Sequence, residues 1–144
     1  MEDYEVITSG SQLKKLVEKK SEPIMKKYDL RTVELEILIF LFQRIYGDTA
    51  KEIIKMKHMS KAHVSKSIEN LKSRGFLLLN EDLEDRRIVH LELTQKADKV
   101  IKESLVARDE CRSIMFRGIS EKEQEIIKQI LKRVSCNINE ELKK

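Results

Sequence analysis

The spacing of hydrophobic residues predicts a mostly helical chain with one short β-hairpin. Apolar residues first recur at helical intervals from about Ser11, so a first helix is expected to begin there. Pro23 lacks a backbone donor and clashes with the preceding turn, so we expect it to break or kink this helix, with a second short helix beginning at Ser21. Residues 1–10 have no such pattern and are expected to be loosely ordered.

The next segment is apolar on nearly all sides of a helix, which predicts a central buried helix. Thr32 is expected to be its N-cap, with Glu34 in the first turn, where the helix dipole favours acids. The helix is expected to end at about Tyr46, because Gly47 and Asp48 follow.

Two shorter helices are predicted after it, each beginning at a hydroxyl residue that can cap it. Thr49 is expected to cap the first and Ser60 the second. In the second helix Val64, Ile68 and Leu71 fall at intervals of four and three residues, so they form one narrow apolar stripe.

Gly75 ends that helix, and the pattern then changes to one typical of strands. Residues 76–79 and 88–93 are the two strand predictions, and the second of them alternates between apolar and polar positions. The charged segment 82–87 lies between them as a turn. Thr94 is expected to cap the helix that follows.

Two long amphipathic helices complete the predicted elements. The first covers about 95–116 and is closed by Gly118. Ser120 and Glu123 have capping-box spacing and open the second, which continues to about Leu142. A single chain of this size has little left to cover both apolar faces, so we expect a homodimer formed through the chain ends.

Composition agrees with a helical soluble protein. Charged residues make up 38% of the 144 residues and aromatic residues 5%, with one proline and four glycines. The chain opens with the acidic MEDYEV, so no secretory signal is expected. The longest apolar run, residues 37–42, is too short to cross a bilayer. We therefore expect a cytoplasmic protein without a membrane partner.

Positive charge is concentrated in one part of the chain. Residues 51–74 include seven lysines and arginines and two acids, a net charge of +5, whereas the whole chain has +4. This excess lies around the predicted short helices, which favours contact with nucleic acid over an ordinary solvated helix face.

The helix after Ser60 has the surface of a recognition helix. If its apolar stripe faces inward, the 100° rotation per residue directs Ala62, His63 and Lys66 outward, with Lys61 at the edge. Small, basic and donor-rich side chains at the N-terminal end of a helix suit an approach to base edges and phosphates.

The turn between the two strands has paired arginines. Arg86 and Arg87 at its tip can enter a narrow minor groove, whose negative potential attracts guanidinium groups. Asp85 is positioned to hold one of them in a bidentate ion pair.

From Thr32 onward the sequence resembles the MarR family of bacterial transcription regulators. The resemblance rests on four motifs in order: Ser60-Lys61-x-x-Val64-Ser65-Lys66-Ser67-Ile68-x-x-Leu71, Arg74-Gly75-Phe76-Leu77, Asp85-Arg86-Arg87 and Leu93-Thr94-x-Lys96-Ala97. Many wings of that family have a further arginine where this chain has Glu84, so a weaker minor-groove contact is expected.

The resemblance implies a single MarR-like domain over 1–144, with a winged helix-turn-helix DNA-binding lobe at 31–94 and dimerisation helices at 11–30 and 95–144. It implies a repressor that acts as a homodimer on a pseudo-palindromic operator and responds to a small molecule of unknown identity. DNA-contacting residues implied on this basis, with Arg86 added for its place at the tip, are Ser60, Lys61, Ala62, His63, Lys66, Asp85, Arg86 and Arg87.

Other functions remain as alternatives. The same basic face could meet an acidic protein partner, and Cys111 and Cys136 could form a redox sensor, although small residues of a helix interface are the ordinary interpretation. The three histidines have no metal-ligand spacing. Motifs of enzymes are absent from the sequence, so we expect no catalysis, metal or cofactor.

Overall fold

The computed structural model describes the backbone of residues 3–144 and the side chains from Ser9 onward. Two compact units are formed, Met1–Arg108 and Asp109–Lys144. The mainly helical fold with one antiparallel hairpin confirms the expected fold class. In chain order the elements are α1 (Asp3–Tyr28), α2 (Thr32–Gln43), α3 (Ala50–Lys57), α4 (Lys61–Ser73), β1 (Leu77–Glu81), β2 (Val89–Leu93), α5 (Ala97–Met115) and α6 (Glu121–Leu142).

Helix α1 is continuous through Pro23, so the predictions of a break there and of a second helix from Ser21 were wrong. The helix also begins at Asp3, which contradicts both the expected start near Ser11 and the loose order of the first ten residues, of which Met1 and Glu2 lie outside the described part. Pro23 is exposed, so water can satisfy the carbonyl group that it leaves without a donor. Burial of the next residue, Ile24, holds the end of the helix in the core.

Helix α2 is the central buried helix that the apolar pattern predicted, but its ends differ. Arg31 is the N-cap instead of Thr32, because the carboxylate of Glu34 accepts a hydrogen bond from the Arg31 backbone N–H at 2.9 Å. The helix stops at Gln43, three residues early, because Arg44 adopts a left-handed conformation with φ of 53°. Its buried members are Glu34, Leu35, Ile37, Leu38, Ile39, Phe40 and Leu41.

Helices α3 and α4 begin where their caps were predicted. The Thr49 hydroxyl accepts from the Glu52 backbone N–H, and the Ser60 hydroxyl accepts from that of His63. The stripe of Val64, Ile68 and Leu71 is buried, as expected. These buried side chains fix the rotation of α4 about its axis, which decides the residues that face solvent.

Gly75 ends α4 in a Schellman motif. Its own N–H donates to Lys72 O at 3.0 Å, and the N–H of Phe76 donates to Leu71 O at 2.9 Å. Gly75 has φ of +81°, a left-handed conformation that costs a side-chain-bearing residue free energy. The buried Phe76 then directs the chain into the hairpin.

The hairpin pairs β1 and β2 in antiparallel register, with Leu77 opposite Leu93 and Leu79 opposite Leu91. Both strands lie within one or two residues of their predicted bounds. Thr94 was expected to cap α5, and this was wrong: α5 begins at Ala97, and the Thr94 hydroxyl donates to Gly75 O at 2.5 Å. Thr94 therefore closes the base of the hairpin.

The unit Asp109–Lys144 contains the end of α5, a turn at Gly118 and helix α6. The capping box of Ser120 and Glu123 opens α6 as predicted, with hydrogen bonds of 2.8 and 3.2 Å. Helix α6 has no buried residue among those described. Its apolar stripe is exposed, at Ile126, Ile130, Leu131, Val134, Ile138 and Leu142.

Candidate nucleic-acid interface

The N-terminal half of α4 presents the side chains that the sequence proposed for DNA contact. Each of them is exposed, and the Ser60 hydroxyl also caps the helix by accepting the His63 N–H at 3.2 Å. Because helix N-termini attract phosphate through their free N–H groups and dipole, basic side chains around this cap add to an existing preference. The exposed residues are Ser60, Lys61, Ala62, His63 and Lys66.

A small groove lies beside this face and includes a residue that sequence reasoning missed. It has a volume of about 160 Å³ and places Arg31 next to His63 and Lys66. Glu34 also lines this groove and is 2% exposed. Its carboxylate accepts a hydrogen bond from Asn70 Nδ2 at 3.3 Å, which links the first turn of α2 to the outer face of α4. Arg31 is the N-cap residue of α2, directly before the predicted cap Thr32, and this position was the available signal.

The wing tip is ordered by two aspartates. One oxygen of Asp82 accepts the backbone N–H groups of Glu84 and Asp85, at 3.1 and 3.0 Å. The Asp85 carboxylate then binds Arg87 in the bidentate geometry that was predicted, with both N–O distances 3.0 Å. This hydrogen bonding lowers the pKa of Asp85 and raises that of Arg87. Arg86 is exposed beside them.

A bridge of three side chains at the base of the wing was also missed. The ring of His90 lies between Asp48 and Asp82, with Nδ1–Oδ1 of 2.7 Å and Nε2–Oδ1 of 2.8 Å. The hydrogen bonds that the ring donates to the carboxylate of Asp48 first, and then to that of Asp82, raise the pKa of His90 to about 9. Asp48 is 42 residues away from His90 along the chain, so spacing alone gave no signal for this contact.

Two of the basic residues in 51–74 form hydrogen bonds or ion pairs with other parts of the chain. Arg74 donates to the backbone carbonyls of Tyr28 and Asp29, both at 2.6 Å, and lies over the ring of Phe76. Lys57 pairs with Glu36 at 3.3 Å. The positive surface therefore depends on the other five residues, which are exposed: Lys51, Lys55, Lys61, Lys66 and Lys72.

In the part of the chain that the structure describes, groups of three or more residues able to ligate a metal are not found. No helix of this part has the length and apolar character needed to span a bilayer. Both cysteines are free thiols, Cys111 being buried and Cys136 exposed.

Comparison with known proteins defines the class. Residues 30–97 match the family model of the winged helix DNA-binding domain. This range contains α2 to β2, in the order helix, helix-turn-helix and hairpin that such a domain has. The central part of the chain is a winged helix domain.

Solved structures extend the likeness to nearly the whole chain. The fold matches a MarR family transcriptional regulator from Listeria monocytogenes complexed with 26mer DNA, with a TM-score of 0.86 and 17% identity, over 98% of this chain and 92% of that one. Outside the winged helix domain as well, the chain therefore has the fold of MarR family regulators, the family that its sequence motifs resemble.

Curated relatives agree with this assignment. The regulator Hpr of Bacillus licheniformis is 30% identical over 104 residues, which are 72% of this chain and 50% of that protein. The DNA-binding transcriptional repressor ScoC of Bacillus subtilis is also 30% identical over 72% of this chain and 51% of its own length. The chain thus spans about half the length of these relatives.

Proposed function

We propose that this protein is a transcription regulator that binds double-stranded DNA as a homodimer, with residues 31–94 as the DNA-binding lobe and 11–30 and 95–144 as the dimerisation helices. The observation that most supports it is the division of α4 into two faces. Val64 and Leu71 are fully buried, while the capped, basic end of the same helix is exposed. Such a helix can enter the major groove without disturbing the core.

Helix α4 and the wing would have different roles on the duplex. Lys61, His63 and Lys66 would donate to phosphates and base edges of the major groove, and the small side chain of Ala62 would allow close approach. Arg86 and Arg87 would enter the adjacent minor groove, where narrow segments have enhanced negative potential. Ser60 and Asp85 would position these groups through the hydrogen bonds that they form.

A second copy of the chain is the proposed cover for the apolar stripe of α6. Six large apolar side chains of this helix are each at least 44% exposed in the single chain. An exposed stripe of this length is costly for a monomer in water and typical of a protein interface. A two-fold dimer would set its two recognition helices about one helical turn (~10 base pairs) apart, so the operator should be pseudo-palindromic.

Repression and a response to a small molecule complete the proposal. Repression is supported by the relative ScoC, which is a DNA-binding transcriptional repressor. A protein that acts on chromosomal operators would work in the cytoplasm. A cleft of about 630 Å³ between the end of α2 and the hairpin offers an exposed arginine, Arg44, beside Leu41 and Leu93. Asp48 and Glu92 line the same cleft, so its apolar residues suit a small uncharged aromatic molecule, and phenol is the probe for a thermal-shift test.

The test of DNA binding is a selection of bound sequences from a random duplex pool, followed by fluorescence-anisotropy titration of the selected site. We expect the wild-type protein to enrich a pseudo-palindrome, and Arg86→Ala/Arg87→Ala to weaken binding by at least tenfold, because two groove-inserted charges are lost. Lys122→Ala/Lys128→Ala removes the same charge from α6 and is the matched control.

Two results would contradict the proposal. Failure to enrich any sequence, together with no retention on heparin or mixed-sequence DNA at low salt, would favour the protein-interaction alternative. Equal losses in the wing variant and its control would mean that the arginines act only through net charge.

A further inference from the structure

We propose that Asp48, His90 and Asp82 form a bridge that positions the wing on the winged helix body, and that the charge of His90 sets operator affinity. This inference rests on the proposed DNA binding through the wing. The bridge residues are positioning residues, because they act on DNA through Arg87. A protonated bridge holds the wing in its binding orientation, and a deprotonated bridge releases it.

The geometry requires the charged form of the imidazole. Each ring nitrogen of His90 lies within 2.8 Å of a carboxylate oxygen. A carboxylate can only accept, so both nitrogens must donate, and only imidazolium has two N–H groups. In neutral imidazole one nitrogen lone pair would face a carboxylate, and that contact would open.

The body end of the bridge is fixed by the backbone. Asp48 lies in the loop between α2 and α3, and its carbonyl accepts the N–H of Leu91 at 2.8 Å. Leu91 is buried in the core and neighbours His90 on β2. The carboxylate of Asp48 therefore starts from a stable position and can restrain the ring of His90.

At the wing end, a series of hydrogen bonds connects the bridge to Arg87, the arginine proposed to contact DNA. One oxygen of Asp82 binds the imidazole, and the other accepts the N–H groups of Glu84 and Asp85. Asp85 in turn holds Arg87 by two side-chain hydrogen bonds. Consecutive polar contacts thus join the α2–α3 loop to the guanidinium group at the wing tip.

Other charged groups surround the bridge and must be included in its titration. Arg44 at the end of α2 and Glu92 on β2 line the same cleft as His90. Glu92 accepts from Asn80 Nδ2 at 2.7 Å, and the carboxylate of Glu52 lies against Gly47, next to Asp48. Acids therefore outnumber bases around the ring, which favours its protonated form.

Operator affinity as a function of pH tests the bridge. We expect constant affinity of the wild-type protein from pH 6.5 to about 8 and a loss of several-fold towards pH 10, because His90 then loses its proton. His90→Gln should bind about tenfold more weakly at pH 7 and lose less on going to pH 10. Asp48→Asn should behave in the same way, since it weakens the body end and leaves the wing turn unchanged.

His58→Asn is the matched control, because it removes an exposed histidine outside the bridge. Asparagine tolerates the left-handed conformation of this position, where φ is 52°. The operator affinity of this variant should depend on pH as that of the wild-type protein does, including any loss at high pH that arises from deprotonation of lysines.

A double-mutant cycle separates positioning from general destabilisation. If His90 acts through Arg87, His90→Gln should cost much less affinity in an Arg87→Ala background than in the wild-type protein. Equal costs in both backgrounds, or unchanged affinity of His90→Gln across the pH range, would overturn the inference.

Amide hydrogen exchange tests the bridge independently of any contact between the wing and DNA. The amides of Glu84 and Asp85 should exchange several-fold faster in His90→Gln, because Asp82 is no longer restrained. If Arg87→Ala leaves affinity unchanged, the proposed wing contact fails while faster exchange still supports the bridge. Unchanged exchange in His90→Gln would refute the bridge itself.

Discussion

Arg87 binds Asp85 through two parallel hydrogen bonds, from Nε to Oδ1 and from Nη2 to Oδ2, each 3.0 Å long. The Arg87 side chain is 91% exposed, so solvent screening leaves the pair a small role in folding stability. Its structural effect is to fix the direction of one guanidinium group. Arg86, one residue earlier, is exposed and has no such partner among the described residues.

Replacing Asp85 with asparagine should therefore change specificity more than affinity. Asp85→Asn releases the fixed guanidinium, so the ratio of affinities for operator and scrambled duplex should fall several-fold. Affinity for scrambled duplex should rise slightly, because a negative charge next to phosphates is removed. Anisotropy titrations on both duplexes measure the ratio. Asp109→Asn has the same charge change on α5, and a similar loss of ratio there would contradict this explanation.

Lys66 should account for about one released counterion. It is exposed on the outer face of α4, opposite the buried stripe. Lys66→Ala should weaken binding to every duplex to a similar extent and reduce the slope of log K against log salt by about one. Lys128→Ala on α6 should leave the slope unchanged. A loss confined to one base position would instead identify Lys66 as a base-reading residue.

Several parts of the fold could be predicted from the sequence because they depend on residues that are close together in the chain. Thr49 and Ser60 cap helices because a hydroxyl before a helix satisfies a free N–H, whatever surrounds it. Gly75 was likewise predictable, since a left-handed residue ends many helices. The bidentate pair of Asp85 and Arg87 also depends on neighbours only two residues apart.

The errors arose where distant residues decide the outcome. Pro23 was expected to break α1, but Ile24 and the core hold the helix together beyond it. Thr94 lost its expected capping role because the carbonyl of Gly75 lies within reach of its hydroxyl across the hairpin. The Asp48–His90 contact could not be predicted for the same reason, since only the folded chain brings these residues together.

Alanine substitutions at two glycines should have opposite effects on stability. Gly75 has φ of +81°, and an added Cβ would meet only Lys96 Cδ at 3.9 Å, so the cost of Gly75→Ala is backbone strain of about 1–2 kcal/mol. Gly10 lies within α1, where an added Cβ meets nothing within 4 Å. Gly10→Ala should stabilise by about 0.5–1 kcal/mol. Urea denaturation measures both, and equal signs would refute the assignment of these conformations.

A charge placed in the apolar stripe of α6 should disrupt the proposed dimer. Ile130→Glu would bury an unpaired carboxylate in the interface, so dissociation should occur at concentrations at which the wild-type protein is dimeric. Gln129→Glu introduces the same charge change on the other side of the helix and should remain dimeric. Sedimentation velocity across a micromolar range distinguishes them, and a wild-type monomer at the upper end would refute the interface.

The stability that His90 contributes should depend on pH in a defined direction. Its pKa rises from 6.5 to about 9 on folding, mainly through Asp48, so the contribution is complete below 6.5 and is lost as the pH rises through about 9. The pKa of Asp82 is lowered from 3.8, chiefly by His90, so its contribution is present above 3.8 and is lost at lower pH.

The difference in melting temperature between the wild-type protein and His90→Gln should therefore be largest near pH 5–6 and small by about pH 10. Thermal denaturation followed by circular dichroism at pH 5, 7 and 10 measures this difference. His58→Asn should show a difference that does not follow this profile, because His58 lies outside the bridge. A constant difference between wild type and His90→Gln at all three pH values would mean that the ring stabilises the wing by packing, independently of its charge.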